Sequence, residues 1–403
     1  MKGALSWPFL RLYGLTLLYF SANAILNVIL PLQGQSLGAT NATIGIIMGA
    51  YLFTTMLFRP WAGLLIQKYG PIRVLRTILA VNGLALLLYT FTGLEGYFIA
   101  RMLQGVCTAF FSMALQLGII DALPDEDRSQ GISMYSLCAS MPGVIGPLLA
   151  LGMWQTGDLH IFTASMIAIA VLTGAVGYSA KMDKKTAEPA AGSTKQGVTM
   201  MNSFGQLVRN PHLFKCSVLM LAASLVFGAV TTFIPLYAAL VQGGNAAVYL
   251  MLQAATVVLA RFLCRKSIPS DGKWHSLFVM GIMLLLSVSA FCVSFAMTGG
   301  MLFFYTGAVL MGVAQALLYP TLTTYLTFVL PQASRNVLVG LFIATADLGV
   351  SLGGMVMGPI ADFSSYSFMY RLCAILGALM ILFAYGGAGG RYPSQVKPTK
   401  KRR

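Results

Sequence analysis

Basic residues fall at every second break between apolar runs, and no soluble fold calls for that spacing. There are 26 Lys and Arg. Lys2 and Arg11 flank the first run, and Arg59, Lys68, Arg73 and Arg76 surround the break after the second. Arg128 follows the fourth run, six residues from Lys181 to Lys215 follow the sixth, and Arg261, Arg265, Lys266 and Lys273 follow the eighth. Arg335 follows the tenth, and six more from Arg391 to Arg403 end the chain, leaving only Arg101 and Arg371 outside the pattern. Positive charge accumulates in the cytoplasmic loops of a membrane protein. The alternation therefore predicts an even number of crossings with both termini inside.

Composition agrees with this. The chain is 57% hydrophobic and 9% charged, against about a quarter charged in a soluble domain. Runs of about 20 apolar residues can each span the hydrocarbon layer as a helix. They place crossings near 10–32, 42–66, 74–92, 97–122, 130–154 and 161–180, then 213–237, 245–264, 275–297, 302–329, 337–360 and 368–388. The first run reads as a span rather than a cleaved leader, because it is too long and joins directly to the next. The net charge of +15 is this topology signal plus a basic tail suited to anionic lipid headgroups, and implies no nucleic acid. Six cysteines are scattered without a C-x-x-C pair. His160, His212 and His275 sit apart at loop or helix-end positions, so no metal site is expected. There is no phosphate-binding loop and no nucleophile–His–acid set. No cofactor is expected, and the chain does not read as an enzyme.

The chain repeats itself near its midpoint. Gly105, Leu123-Pro124 and Arg128 match Gly312, Leu330-Pro331 and Arg335, each pair 207 apart (312−105, 330−123, 335−128). Leu30-Pro31-Leu32 matches Ile234-Pro235-Leu236 near the ends of the first and seventh runs, and Arg59 matches Arg261. Two related six-helix bundles are expected, at 1–180 and 213–390, joined by a polar cytoplasmic linker at 181–212 and followed by a basic tail at 391–403. Such repeats bind substrate between the bundles near the midplane and rock to expose it to either side. The fold class is all-α integral membrane, with twelve transmembrane helices in two pseudo-symmetric bundles.

Polar residues inside the runs form stripes at helical spacing. In the fourth run these are Arg101, Gln104, Gly105, Thr108, Ser112 and Gln116. In the first they are Thr16, Tyr19, Asn23 and Asn27, and in the tenth Gly312, Gln315 and Tyr319. Such stripes avoid lipid and line a cavity or bond neighbouring helices. Tyr19, Asn23, Asn27, Arg101, Gln104, Thr108, Ser112, Gln116, Gln315 and Tyr319 are accordingly the candidate substrate contacts. A buried Arg101 either attracts an acidic substrate or organises its bundle through hydrogen bonds. Of the eleven acids, Asp347 lies well inside the eleventh run, and is the candidate proton-coupling residue. The acid-free Asn23–Asn27 stripe suits an anionic or zwitterionic substrate better than a cation.

Arg59-Pro60-Trp61-Ala62-Gly63 with Lys68-Tyr69-Gly70 and Arg73, Arg101-Met-Leu-Gln104-Gly105, and Gly143-Val-Ile-Gly146-Pro147 together resemble the major facilitator superfamily across the whole chain. The last of these resembles the motif of antiporters that export. Gln67 stands where the family's loop usually has Asp, and Pro71 where it has a later Arg. With that latch altered, Asp121 is the acid left to pair with Arg59 or Arg73 in an inner gate. The opening Met1 to Arg11 and the run Gly105 to Ser112 further resemble bacterial exporters of opine-type metallophores, the staphylopine class, whose cargo is a metal-chelating polycarboxylate amine. The resemblance implies a proton-coupled exporter in the cytoplasmic membrane of a bacterium, working as a monomer with a small-molecule substrate, protons and the bilayer as its partners. A broad-range multidrug exporter, or an organic-anion uniporter or importer, are the alternatives.

Overall fold

Inside a bilayer no water satisfies backbone N–H and C=O groups, so each apolar run must close its own hydrogen bonds as a helix. The computed structural model describes residues 5–180, 209–264, 267–269, 271–331 and 335–385. Thirteen α-helices occur among them. They are α1 Trp7–Ser36, α2 Asn41–Tyr69, α3 Pro71–Phe91, α4 Leu94–Ala122, α5 Asp125–Ser140, α6 Pro142–Gln155 and α7 Leu159–Ser179. The second half has α8 Pro211–Tyr237, α9 Ala246–Leu263, α10 Ser276–Ser294, α11 Ala296–Val329, α12 Arg335–Phe363 and α13 Tyr366–Tyr385. Twelve stretches are long and apolar enough to cross a membrane, because α5 and α6 share the span Gln130–Gln155. Pro142, which lacks an N–H, marks the break between them. The expected linker, apart from 209–212, and the whole basic tail lie outside the described residues.

Local chemistry sets the helix ends. Thr40 caps α2 by accepting from the Thr43 N–H, and Asn245 caps α9 by accepting from the Val248 N–H. Gly70, at φ 84°, turns the chain between α2 and α3, a conformation that favours glycine. α1 continues through Pro31 to Ser36, past the expected 32, and α8 runs through Pro235 to Tyr237, where the hydropathy reading ended it. A proline removes one hydrogen bond without ending a helix whose neighbours hold it. In α11 the backbone at Gly300 is non-helical, at φ 68° and ψ −160°, so the helix proper starts beyond it, close to the expected 302.

The repeat is visible as packing. A side chain at Gly105 in α4 would collide with the Tyr51 carbonyl and Thr54 of α2, and one at Gly312 in α11 would collide with the Gln253 carbonyl and Thr256 of α9. Gly146 of α6 abuts Ala24 of α1 just as Gly353 of α12 abuts Gly228 of α8. The matched pairs keep offsets of 207 for the glycines (312−105, 353−146) and 202 for Tyr51 and Thr54 (253−51, 256−54). The two halves are therefore the same bundle built twice.

Two seams between the bundles frame the site. In one, α2 lies against α12, with Gly45 against Gly354 and Gly358 against the Asn41 carbonyl. The Ser351 hydroxyl donates to the Gly49 carbonyl at 2.9 Å. At the end of this seam remote from the basic breaks, the Asp362 carboxylate accepts from the N–H groups of Asn41 and Ala42 at 2.9 and 2.8 Å. A carboxylate from one bundle thus caps the first turn of a helix in the other, where backbone donors are unpaired. The second seam sets α6 against α9, with Gly143 close to Ala254.

Candidate functional site

Between the bundles lies a cavity of about 310 Å³. One face of α1 supplies Phe20, Asn23, Ala24 and Asn27, and the α5–α6 break supplies Ser140, Pro142, Gly143 and Pro147. One face of α9 supplies Leu250, Gln253, Ala254, Val257, Val258 and Arg261, spaced three or four apart as on a helical stripe. Thr231 of α8 and Gln315 of α11 complete the polar lining, which contains no Asp or Glu.

Arg101 stands behind this wall, fully buried in α4. Its two terminal nitrogens donate to Asn23 Oδ1 at 2.7 Å and Asn27 Oδ1 at 2.8 Å. The guanidinium also lies 5.2 Å from the Tyr51 ring centre, a cation–π contact. A longer hydrogen bond reaches Gln104 Oε1 at 3.4 Å, which also accepts from the Tyr89 hydroxyl at 3.0 Å. With their oxygens taken by Arg101, Asn23 and Asn27 keep their Nδ2 groups as the polar atoms left for whatever enters the cavity. On the opposite wall Gln253 Nε2 donates to Gln315 Oε1 at 3.0 Å, which leaves the Gln315 amide as a further donor. The lining is thus rich in donors and bears one cation, Arg261.

A second charged feature joins the bundles. Arg59 Nε of α2 donates to Asp347 Oδ2 of α12 at 2.6 Å. The side chains are 26% and 13% exposed, so the pair is screened from bulk water without being sealed. Asp347 belongs to the same seam as Gly45 and Ser351, nearer the basic breaks.

The structure separates the residues that the stripes grouped together. Asn23, Asn27 and Gln315 line the cavity. Arg101 does not, because the two asparagines occupy its donors. Tyr19 and Thr108 are buried, with the Thr108 hydroxyl 2.9 Å from that of Tyr19 and 3.0 Å from that of Tyr51, and Tyr19 stacks on Phe111. Ser112 donates to the Ala109 carbonyl of its own helix, and Gln116 bonds Tyr135. Tyr319 stacks on Phe342. Hydrogen bonding within the first bundle accounts for Tyr19, Thr108, Ser112 and Gln116. Arg59, expected to pair with Asp121, pairs with Asp347 through its Nε. The side chains of Asp121 and Gln67 lie outside the described residues. Arg73 is exposed near the start of α3.

Arg261, Gln253, Thr231 and Ser140 line the cavity without having been singled out for it. In the sequence Arg261 belongs to the charges of the eighth break. Two signals were available: its match to Arg59 in the repeat, and its place on the stripe that runs through Gln253 and Val257.

The family model described as Major Facilitator Superfamily matches residues 12–282. The chain belongs to the Major Facilitator Superfamily. It is a multi-pass membrane transporter of small molecules and not an enzyme. Among relatives in this superfamily, the staphylopine export protein of Staphylococcus aureus is 51% identical over 96% of this chain and 97% of its own. An uncharacterized MFS-type transporter of Methanocaldococcus jannaschii is 19% identical over 89% of this chain and 92% of its own. The same fold appears in a bacterial homologue of the human lysosomal transporter Spinster, with a TM-score of 0.74 at 14% identity over 95% of this chain and 96% of that one.

Proposed function

We propose that this superfamily member exports a small polycarboxylate amine of the opine-metallophore class, by alternating access and in exchange for protons. The observation that carries the reading is the cavity: donor-rich, bearing Arg261, and without an acid. A cargo with several carboxylates supplies the acceptors that such a wall lacks. A lipophilic cation would find no carboxylate there, which disfavours the multidrug alternative. The 51% identity to a staphylopine export protein supports the same class, with staphylopine itself as the first cargo to test.

The basic breaks are taken to face the cytoplasm, with both termini on that side and the chain in the bacterial cytoplasmic membrane. The bundles 1–180 and 213–390 are the units that rock, within a single monomer. The α2–α12 seam, capped by Asp362 at the end remote from the basic breaks, then closes the outer side while cargo loads from within. Asp347 is the proposed proton site. A proton on its carboxylate removes the charge that holds Arg59, which loosens the inner part of the seam. Proton binding and bundle separation are then linked through one bond.

The test compares small molecules secreted by the source cell with and without this gene, and with the gene restored. Loss of an extracellular carboxylate-rich chelator on deletion, with its accumulation inside, is the expected result. Unchanged secretion of every such molecule would sink the proposal. Uptake into inverted vesicles with an imposed proton gradient then separates antiport from uniport or import.

A further inference from the structure

The internal repeat can be used to ask which charges lack a counterpart. The offset of 202 that relates Tyr51 and Thr54 to Gln253 and Thr256 carries Arg59 of α2 onto Arg261 of α9 (261−59). The offset of 207 that relates Gly146 to Gly353 carries Ser140 of α5 onto Asp347 of α12 (347−140). One pseudo-twofold axis therefore takes the α2–α12 seam onto the seam of α9 with α5 and α6. On the first seam the arginine has its acid, with Arg59 and Asp347 at 2.6 Å. On the second, Arg261 faces a cavity that it shares with Ser140, and the acid has been replaced by a hydroxyl. Among the described residues no carboxylate pairs with Arg261.

Arg59 is half-buried between the bundles, whereas Arg261 is exposed in the last turn of α9, where the cavity opens onto it. In one case the protein provides the counter-ion. In the other the matching position is left to the cavity, beside the Nδ2 groups of Asn23 and Asn27 and the amide of Gln315.

We infer that a cargo carboxylate docks on Arg261 in the place where the repeat would have put the acid of Ser140, so that Arg261 is the specificity-determining cation of the cavity. The inference rests on the proposed metallophore class and adds the residue that selects it. The cargo acts as a removable half of a second interbundle ion pair. An occupied cavity then carries the same type of bond on both seams, and an empty one carries it only at Arg59 and Asp347. The guanidinium has the planar, two-donor geometry that carboxylate recognition favours.

The experiment measures binding of staphylopine and of its fully esterified form to purified full-length protein by calorimetry. Wild-type protein is expected to prefer the acid over the ester by about tenfold or more. Arg261→Gln should abolish that preference, and Arg261→Lys should retain part of it because charge without the fork still attracts. Ser140→Asp should also lose acid binding, since its carboxylate takes the place of the cargo's, while the protein remains monodisperse. An Arg261→Gln protein that still prefers the acid overturns the inference, as does a folded Ser140→Asp protein with wild-type affinity. Should Ser140→Asp fail to fold, the acid-to-ester ratio in Arg261→Gln and Arg261→Lys decides alone. Wild-type binding of acid and ester alike removes the role of Arg261 but leaves the metallophore reading standing. Wild-type binding of neither removes both.

Discussion

At the scale of single residues, two arginines inside the membrane do different work because their partners differ. Arg101 is held by two asparagines, a glutamine and a tyrosine ring. Its removal leaves the Asn23 and Asn27 oxygens unpaired, at about 1–3 kcal/mol for each buried acceptor. Arg101→Ala should therefore lower the melting temperature in detergent as well as export, and Arg101→Lys should rescue little, because one ammonium cannot repeat the fork to both asparagines. Wild-type thermal stability in Arg101→Ala would exclude this architectural role. Among the described residues Arg59 has a single acid, Asp347. Breaking its pair should cost about 2 kcal/mol, less than the ~3–5 kcal/mol of a fully buried pair, because part of the Arg59 side chain still meets water. Asp347→Asn should abolish gradient-driven uptake into inverted vesicles and leave gradient-free exchange of cargo intact. Undiminished pH-driven transport in that variant would move proton coupling to the cargo's own ionisable groups.

At the scale of helices, the α2–α12 seam depends on the absence of side chains. Gly45, Gly49, Gly354 and Gly358 bring two backbones into direct contact, and small residues are what permit such approach between membrane helices. Gly45→Val would drive its methyl groups into the Gly354 carbonyl. That variant should hold the seam open, measured as faster labelling of cysteines placed at positions 41 and 362, with export lost. Unaltered labelling would show that the seam does not form the outer closure. Much of this level was legible beforehand. Membrane-length apolar runs and the charge alternation are local patterns, and they locate the twelve spans among the described residues to within a few residues. The Asn23–Asn27 stripe and Gln315 were legible as cavity wall for the same reason, since periodicity reports a face. The pairing of faces was not legible. Arg59 and Asp347 are 288 residues apart in the chain, and no local pattern joins them. Nor does any pattern say that the Arg101 stripe of α4 turns toward the asparagine stripe of α1 instead of the cavity. Arg261 was obscured by a stronger signal, because a cation near a helix end reads first as topology.

At the scale of the whole molecule, two copies of one bundle face each other across a cavity, and the proposed alternating access needs them to rock as rigid units. Rigid rocking requires at least one seam to part and re-form in every cycle. The α2–α12 seam is suited to this, because most of its contacts are glycine surfaces, one hydroxyl–carbonyl bond from Ser351 to Gly49 and the Asp362 cap on α2. Its one ion pair, Arg59 with Asp347, is the contact that protonation of the acid would release. A covalent bond across the seam should therefore stop the cycle without unfolding the protein. Asn41→Cys with Asp362→Cys, at the outer end of the seam where the Asp362 side chain reaches residue 41, placed in a background with the six native cysteines removed, tests this directly. Oxidation should form the cross-link, abolish export and leave the melting temperature unchanged or raised, and reduction should restore export. The cross-linked protein should still bind cargo from the face that carries the basic loops, because the cavity lies between the bundles and apart from this seam. Full export by the cross-linked form would rule out rocking about this seam, and movement would then have to arise within the bundles themselves.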